Sequence, residues 1–390
     1  MPVLFSAPHR VFFFTGMITA LLSVGWWCLV FLRPDLAPAE AVPPVMAHPL
    51  VMSLGLFSPF LFGFLMTTYP RWMDASPISG AFYLPSALLQ GAGISVFIVG
   101  LNISSGWAAL GLAIHVLGWA WAVAALLRVT LEARSIALHV WGTLPALLLG
   151  LVTELLAIAF LLEQMWAQLW VAARVWLVGC LLPVFLSVSH RMIPFFSRSA
   201  VPGYDFYRPE WAFWAMLVAV AGILLAELVG VPAVRLPFAA VLAVVSAHLA
   251  TRWQPWRCRR PMLLASLHIG FAWLPIGAVL LAASALGGQT ILDAGIHAIA
   301  LGYFASLLVA MVTRVTMGHS GRPLTMPPLI VALFWTVQIA AASRVLASLS
   351  RAPFGVLAEV ALWLLVLVMV VFASKLLPVW LRPRLDGKPG

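Results

Sequence analysis

Apolar residues run along this chain in blocks of about twenty, separated by short stretches where Arg, Pro, Gly and Asp collect. A block of that length suits an α-helix crossing the hydrocarbon core. Barrel strands would instead alternate at period two over about ten residues. Splitting the chain at the breaks predicts spans at 11–32, 46–69, 81–101, 106–128, 138–161, 168–189, 211–229, 233–251, 262–286, 293–313, 327–349 and 354–376. The first run is longer than the roughly 7–15 apolar residues of a signal peptide, so it reads as a retained helix. The connections are short, which predicts an all-α, polytopic transmembrane helix bundle occupying 1–390 as one integral membrane domain.

Composition fixes the setting. Hydrophobic residues make up 63% of the 390 and charged residues 9%, too little charge for a water-facing surface. The net charge of +10 is scattered between apolar blocks and forms no basic patch interleaved with aromatics, which excludes nucleic acid as the partner and leaves the lipid bilayer. Taking connections alternately as the two sides, Arg33, Arg235 and Arg351 fall on one side, Arg174 and Arg344 inside spans, and all other Lys and Arg on the side of both termini. The positive-inside rule then places both termini in the cytoplasm. Cys28, Cys180 and Cys258 are far apart and give no thiolate cluster. The two arginines inside spans are expected to pair across hairpins, Arg174 with Glu154 and Arg344 with Glu359, because a charge in the membrane tends to be paired.

The stretch from Asp293 to Arg322 carries the most information. His297 and His319 are 22 positions apart, about 33 Å at helical rise, so one continuous helix cannot bring them to a single site. Between them Ala298, Gly302, Ser306 and Ala310 recur every fourth residue, a small-residue stripe that lets a neighbouring helix approach closely. Two polar sites are therefore expected, one per membrane face. At the outer level His48 opens the second span, with Met52 one turn on, and is expected to meet His297. The second span has its own stripe, Gly55, Pro59, Gly63 and Thr67, which suits packing against the tenth helix. At the inner level the expected set is His190, His268 and His319, with Arg191, Arg314 and Arg322 as partners for anionic groups. Imidazoles and a thioether suit copper or haem iron. His115 lies deeper and is a weaker candidate, while His139 and His248 sit at helix ends.

The same residues resemble the NnrS family, haem- and copper-containing membrane proteins of bacteria associated with the response to nitric oxide. His297, Gly302, Met311, Arg314, Gly318, His319, Gly321 and Arg322 are similar to the family pattern HxxxxG…M..R…GHTGR, with Ser320 in place of threonine. Arg10, Phe12 and Phe13 fit an FRPFF opening in which His9 replaces the first phenylalanine and Val11 the proline. Gly55, Gly63, Phe64, Leu65, Thr67, Pro70 and Trp72 resemble FG…GFLLTAxPxW; Arg191, Ile193, Pro194 and Phe196 resemble GGRxIPxF; His268, Ala272, Trp273, Leu274 and Pro275 resemble LHxGYAWLP. Where many members carry HAHEM, this chain has His48, Pro49, Leu50, Val51 and Met52, so the second histidine and the glutamate are missing. His190 stands where the family often has glycine.

The resemblance implies a multi-pass protein of the bacterial inner (cytoplasmic) membrane that binds haem and copper, meets nitric oxide as its ligand and relieves nitrosative stress. Two other classes stay open. A membrane oxidoreductase of haem-copper type acting on nitric oxide would have a similar number of helices, but this chain lacks an adjacent histidine pair. A secondary transporter would use helices broken by Gly and Pro.

Overall fold

A computed structural model describes residues 2–35, 41–352 and 354–387. It is all-α. Twelve helices are long and apolar enough to cross a membrane, which implies a lipid bilayer setting. They are α1 (Pro8–Leu32), α2 (Pro44–Trp72), α3 (Gly80–Gly100), α4 (Ser105–Glu132), α5 (Val140–Leu162) and α6 (Trp166–Ala200), followed by α7 (Glu210–Val229), α8 (Pro232–Arg252), α9 (Met262–Gly287), α10 (Gln289–His319), α11 (Pro328–Leu349) and α12 (Val356–Leu381). Every expected span has its helix. The ends show why: Pro8, Pro44, Pro232 and Pro328 open helices at positions where a missing N–H costs nothing. Gly230, at φ +68°, ends α7 in the left-handed region.

The largest departures from expectation are α6 and α10, which run beyond the expected apolar blocks. In α6 the helix carries His190, Arg191 and Ser197 past the expected end at 189, and α10 reaches His319. Each also contains a stretch of wider π-helical winding, Trp176–Leu181 in α6 and Ala298–Ala305 in α10. Such stretches insert extra residues into a helix and are frequent at functional sites.

The chain divides into two compact units. The first comprises Met1–Cys180, Gly318–Arg322 and Met369–Gly390, and the second Leu181–Met317 and Pro323–Val368. In the first, α1 packs on α2 and α3, α3 on α4, α4 on α5, and the opening turns of α6 on α5 and α2. The small-residue stripe of α2 is filled by α1: a side chain at Gly55 would strike Ser23, and one at Gly63 would strike Phe13. Thr19 donates to the Gly55 carbonyl at 2.7 Å across the same seam. The expectation that this stripe serves the tenth helix is thus corrected, because α1 brings an aromatic ring and two hydroxyls that match its gaps.

In the second unit α7 packs on α8, α8 on α9, α9 on α10 and α10 on α11, while the end of α6 lies on α7 and α9. The stripe of α10 does serve close packing. Gly302 lies under the indole of Trp273 on α9, where any Cβ would collide with the ring. The indole N–H in turn donates to Gln338 Oε1 at 2.8 Å, and Gln338 Nε2 donates to Ser306 on the same stripe at 2.7 Å.

Candidate functional site

The last turns of α6 place a polar row on an otherwise apolar helix, with Ser187, Ser189, His190 and Ser197 all buried. Ser197 joins the row to α9. Its hydroxyl lies 2.8 Å from the Ile193 carbonyl and 2.9 Å from His268 Nε2, and so anchors that edge of the imidazole. His190 is held by the backbone: its Nε2 lies 3.1 Å from the Pro209 carbonyl, which can only accept, so Nε2 donates and Nδ1 holds the lone pair. A hydrogen bond that anchors one ring nitrogen and leaves the other for a metal is what metal-binding imidazoles carry.

Cations surround this row. Arg314, from α10, stacks its guanidinium on the Phe196 ring at 3.6 Å. Arg191 lies within electrostatic range of Arg208, and burial lowers the pKa of Arg208, an effect that Glu210 partly opposes. Close by, Tyr204 donates to the Trp253 carbonyl at 3.1 Å and burial pushes its pKa up to about 12, so it stays a phenol. Burial also pushes the Cys258 thiol up, which leaves no ready thiolate ligand. Further along the same helices, Ser189 and the fully buried Tyr303, in the π-helical stretch of α10, share a hydrogen bond of 2.8 Å.

The other expected ligands sit elsewhere. His297 belongs to the second unit, where its Nδ1 donates to the Asp293 carbonyl at 2.7 Å, leaving the lone pair on Nε2. His48 and Met52 belong to the first unit, and the His48 ring lies on Trp27 with centroids 3.9 Å apart. The outer pairing of His48 with His297 is therefore not one that either unit forms by itself. His319 and Arg322 also fall in the first unit, where His319 lies against His9 with centroids 4.7 Å apart. His115 is fully buried between Ser58 and Glu154, and Glu154 Oε2 is 2.7 Å from its Nδ1. Glu154 also accepts from Trp176 at 3.1 Å, so the carboxylate expected to meet Arg174 instead serves an imidazole and an indole. Arg344 likewise departs from expectation: it donates to Ser348 at 2.6 Å and feels the charge of Asp293, whereas Glu359 is exposed.

Sequence reasoning passed over Ser197, Tyr303, His9 and the His115–Glu154 pair. The signal for Ser197 was present: His190, Pro194 and Ser197 follow helical spacing along one face. That signal was hidden by ending the sixth helix at 189.

The family model described as NnrS protein matches residues 3–384. The chain belongs to the NnrS family. Curated proteins give no match. For an NnrS protein the geometry above can be set against haem and copper. Among the described residues no three His, Cys, Asp or Glu side chains lie close enough to hold an ion together. A copper ion held by such side chains alone therefore finds no complete set. A haem asks for less, an imidazole nitrogen for the iron together with cations for its propionates. The imidazoles of His268 and His190 and the guanidinium groups of Arg191 and Arg314 all belong to the second unit.

Proposed function

We propose that this NnrS membrane protein binds haem in its second unit and acts in the response to nitric oxide, relieving nitrosative stress. The observation that carries the reading is that two buried imidazoles of the second unit are each anchored at Nε2, His268 by Ser197 and His190 by the Pro209 carbonyl, which leaves Nδ1 as the atom for a metal. His268 or His190 would hold the iron, and Arg191 and Arg314 would hold the propionates. Haem iron, when bound, supplies a coordination position that nitric oxide ligates. The protein's share is to orient the imidazole, neutralise the carboxylates and keep the site inside lipid-embedded helices, where an apolar gas concentrates.

Copper is proposed on donor chemistry alone, with His48 and Met52 on α2 as imidazole and thioether ligands. His319 is not proposed as a metal ligand, because the arginines around it repel a cation. The basic connections on the side of both termini support a cytoplasmic orientation for them in a bacterial inner membrane.

A visible spectrum of the purified protein with metal analysis tests the reading. A Soret band lost in His268→Ala or His190→Ala but kept in His48→Ala is the expected result. A colourless preparation after expression with adequate haem supply would overturn it. Anaerobic nitric oxide then separates a binder, whose band shifts once and stays, from an oxidoreductase, which consumes nitric oxide when given a reductant.

A further inference from the structure

The first unit holds a cluster of guanidinium and imidazole groups of its own. His9 and Arg10 lie in the first turn of α1, Arg71 in the last turn of α2, His319 and Arg322 at and just past the end of α10, and Arg384 in the tail after α12. His9 is 3% exposed and Arg10 2%. Arg10, Arg71, His319 and Arg384 all act electrostatically on His9, and Arg322 and Arg384 act on Arg10. The nearby carboxylate of Asp386 is gripped by Arg384 through Nε at 2.8 Å and Nη2 at 2.6 Å.

Part of this charge is answered by the backbone. Arg10 Nη1 donates to the carbonyls of Trp380 at 3.0 Å and Arg382 at 2.9 Å, at the negative end of α12. His9 Nδ1, Arg10 Nε and Arg322 Nη1 make no hydrogen bond. A buried charged group left without a full set of partners is destabilising, and like charges held together add repulsion. One ligand that answers both is an anion with several oxygens, able to accept from nitrogen atoms on different segments at once. A metal cation is excluded by the same charges. A single carboxylate would serve one guanidinium fork and leave the others. The place also fits, since α1 begins and α2, α10 and α12 end here, and the ends of membrane-spanning helices lie towards the lipid headgroups.

We propose that His9, Arg10, Arg71 and Arg322 form a phosphate-binding site, taking the phosphate of an anionic lipid headgroup or free phosphate. His9 is one of the two residues, with Val11, by which this chain departs from the FRPFF opening, so the site goes beyond the haem reading, and its test does not involve haem.

The test is phosphorus retention. The full-length protein is purified in mild detergent and analysed by native mass spectrometry and phosphorus NMR, then titrated with inorganic phosphate while thermal unfolding is followed. A retained phospholipid that inorganic phosphate does not displace identifies the headgroup; a lipid-free protein stabilised by inorganic phosphate identifies the free anion. In either case Arg322→Gln should weaken binding about tenfold and the Arg71→Gln, Arg322→Gln pair about a hundredfold, one charge-assisted hydrogen bond at a time. Arg322→Lys, which keeps the charge, should stay closer to the parent and controls for misfolding. A parent protein with neither retained phosphorus nor stabilisation by phosphate, or a double variant that binds as the parent does, overturns the proposal.

Discussion

Two buried histidines, one in each unit, share a serine arrangement and differ in one neighbour. His115 meets Ser58, whose hydroxyl donates to the Leu54 carbonyl at 2.6 Å, and His268 meets Ser197, whose hydroxyl donates to the Ile193 carbonyl at 2.8 Å. In both cases the serine oxygen sits between a carbonyl of its own helix and Nε2 of the imidazole. The difference lies at Nδ1. For His115 that atom meets the Glu154 carboxylate at 2.7 Å. His268 has no such carboxylate among the described residues. The carboxylate thus turns one buried imidazole into a structural brace, and its absence leaves the other able to ligate.

The largest expected effect breaks the brace. Glu154→Ala leaves His115 and the Trp176 indole without their acceptor in a region excluded from water, and removing one partner of a buried pair costs about 3–5 kcal/mol. Thermal unfolding in detergent should show this as a large fall in Tm. The His115→Leu, Glu154→Leu double variant should recover much of the loss, since an apolar pair leaves nothing unsatisfied. Haem content per folded protein should be unchanged. A Glu154→Ala protein as stable as the parent would remove the distinction between the two histidines.

The second expected effect acts on the other side of the comparison. Ser197→Ala removes the hydroxyl that anchors His268 Nε2, and loss of such a partner lowers metal affinity about 10–100-fold. The accompanying loss of stability should be only about 1 kcal/mol, the net worth of one hydrogen bond. Haem retention measured by transfer to apomyoglobin checks the first figure and denaturation the second. Ser58→Ala, the matching change at His115, should leave haem retention as it was. Equal loss in both variants would mean that the serines affect packing and not ligation.

How much of this was legible in the sequence differs between fold and site. The twelve spans follow from the length of the apolar blocks, because a membrane leaves the backbone few alternatives. Gly302 was legible as a packing residue from its four-residue stripe, though Trp273 as the ring above it was not. Gly302→Ala should cost about 1–3 kcal/mol through overpacking, read as a lower Tm, with any haem loss secondary to unfolding. The site was less legible for two reasons. Spacing along a helix says which residues share a face, but the partner of Glu154 is on α4 and that of His268 on α6, and only packing supplies them. The extension of α6 past 189 also contradicts its own composition: Arg191, Pro194 and Arg198 read as a connection, yet the helix continues because the polar groups find partners within the fold.

The smallest effect concerns the cations around His268, and it separates charge from shape. Arg314 lies flat on Phe196 at 3.6 Å, a contact worth about 0.5–1 kcal/mol at an exposed site and about 2 kcal/mol when desolvated. Arg314→Lys keeps the positive charge but gives up the planar fork, which both stacks on the ring and pairs with a carboxylate through two bonds. If Arg314 holds a propionate, the variant should keep its Soret band and lose haem several-fold faster than the parent, with Arg314→Gln faster still. If Arg314 only packs on Phe196, both variants should lose stability alike and release haem at the parental rate. The ratio of the two release rates therefore measures how far the guanidinium serves the cofactor, where the Ser197 variant measures how far the hydroxyl serves the iron.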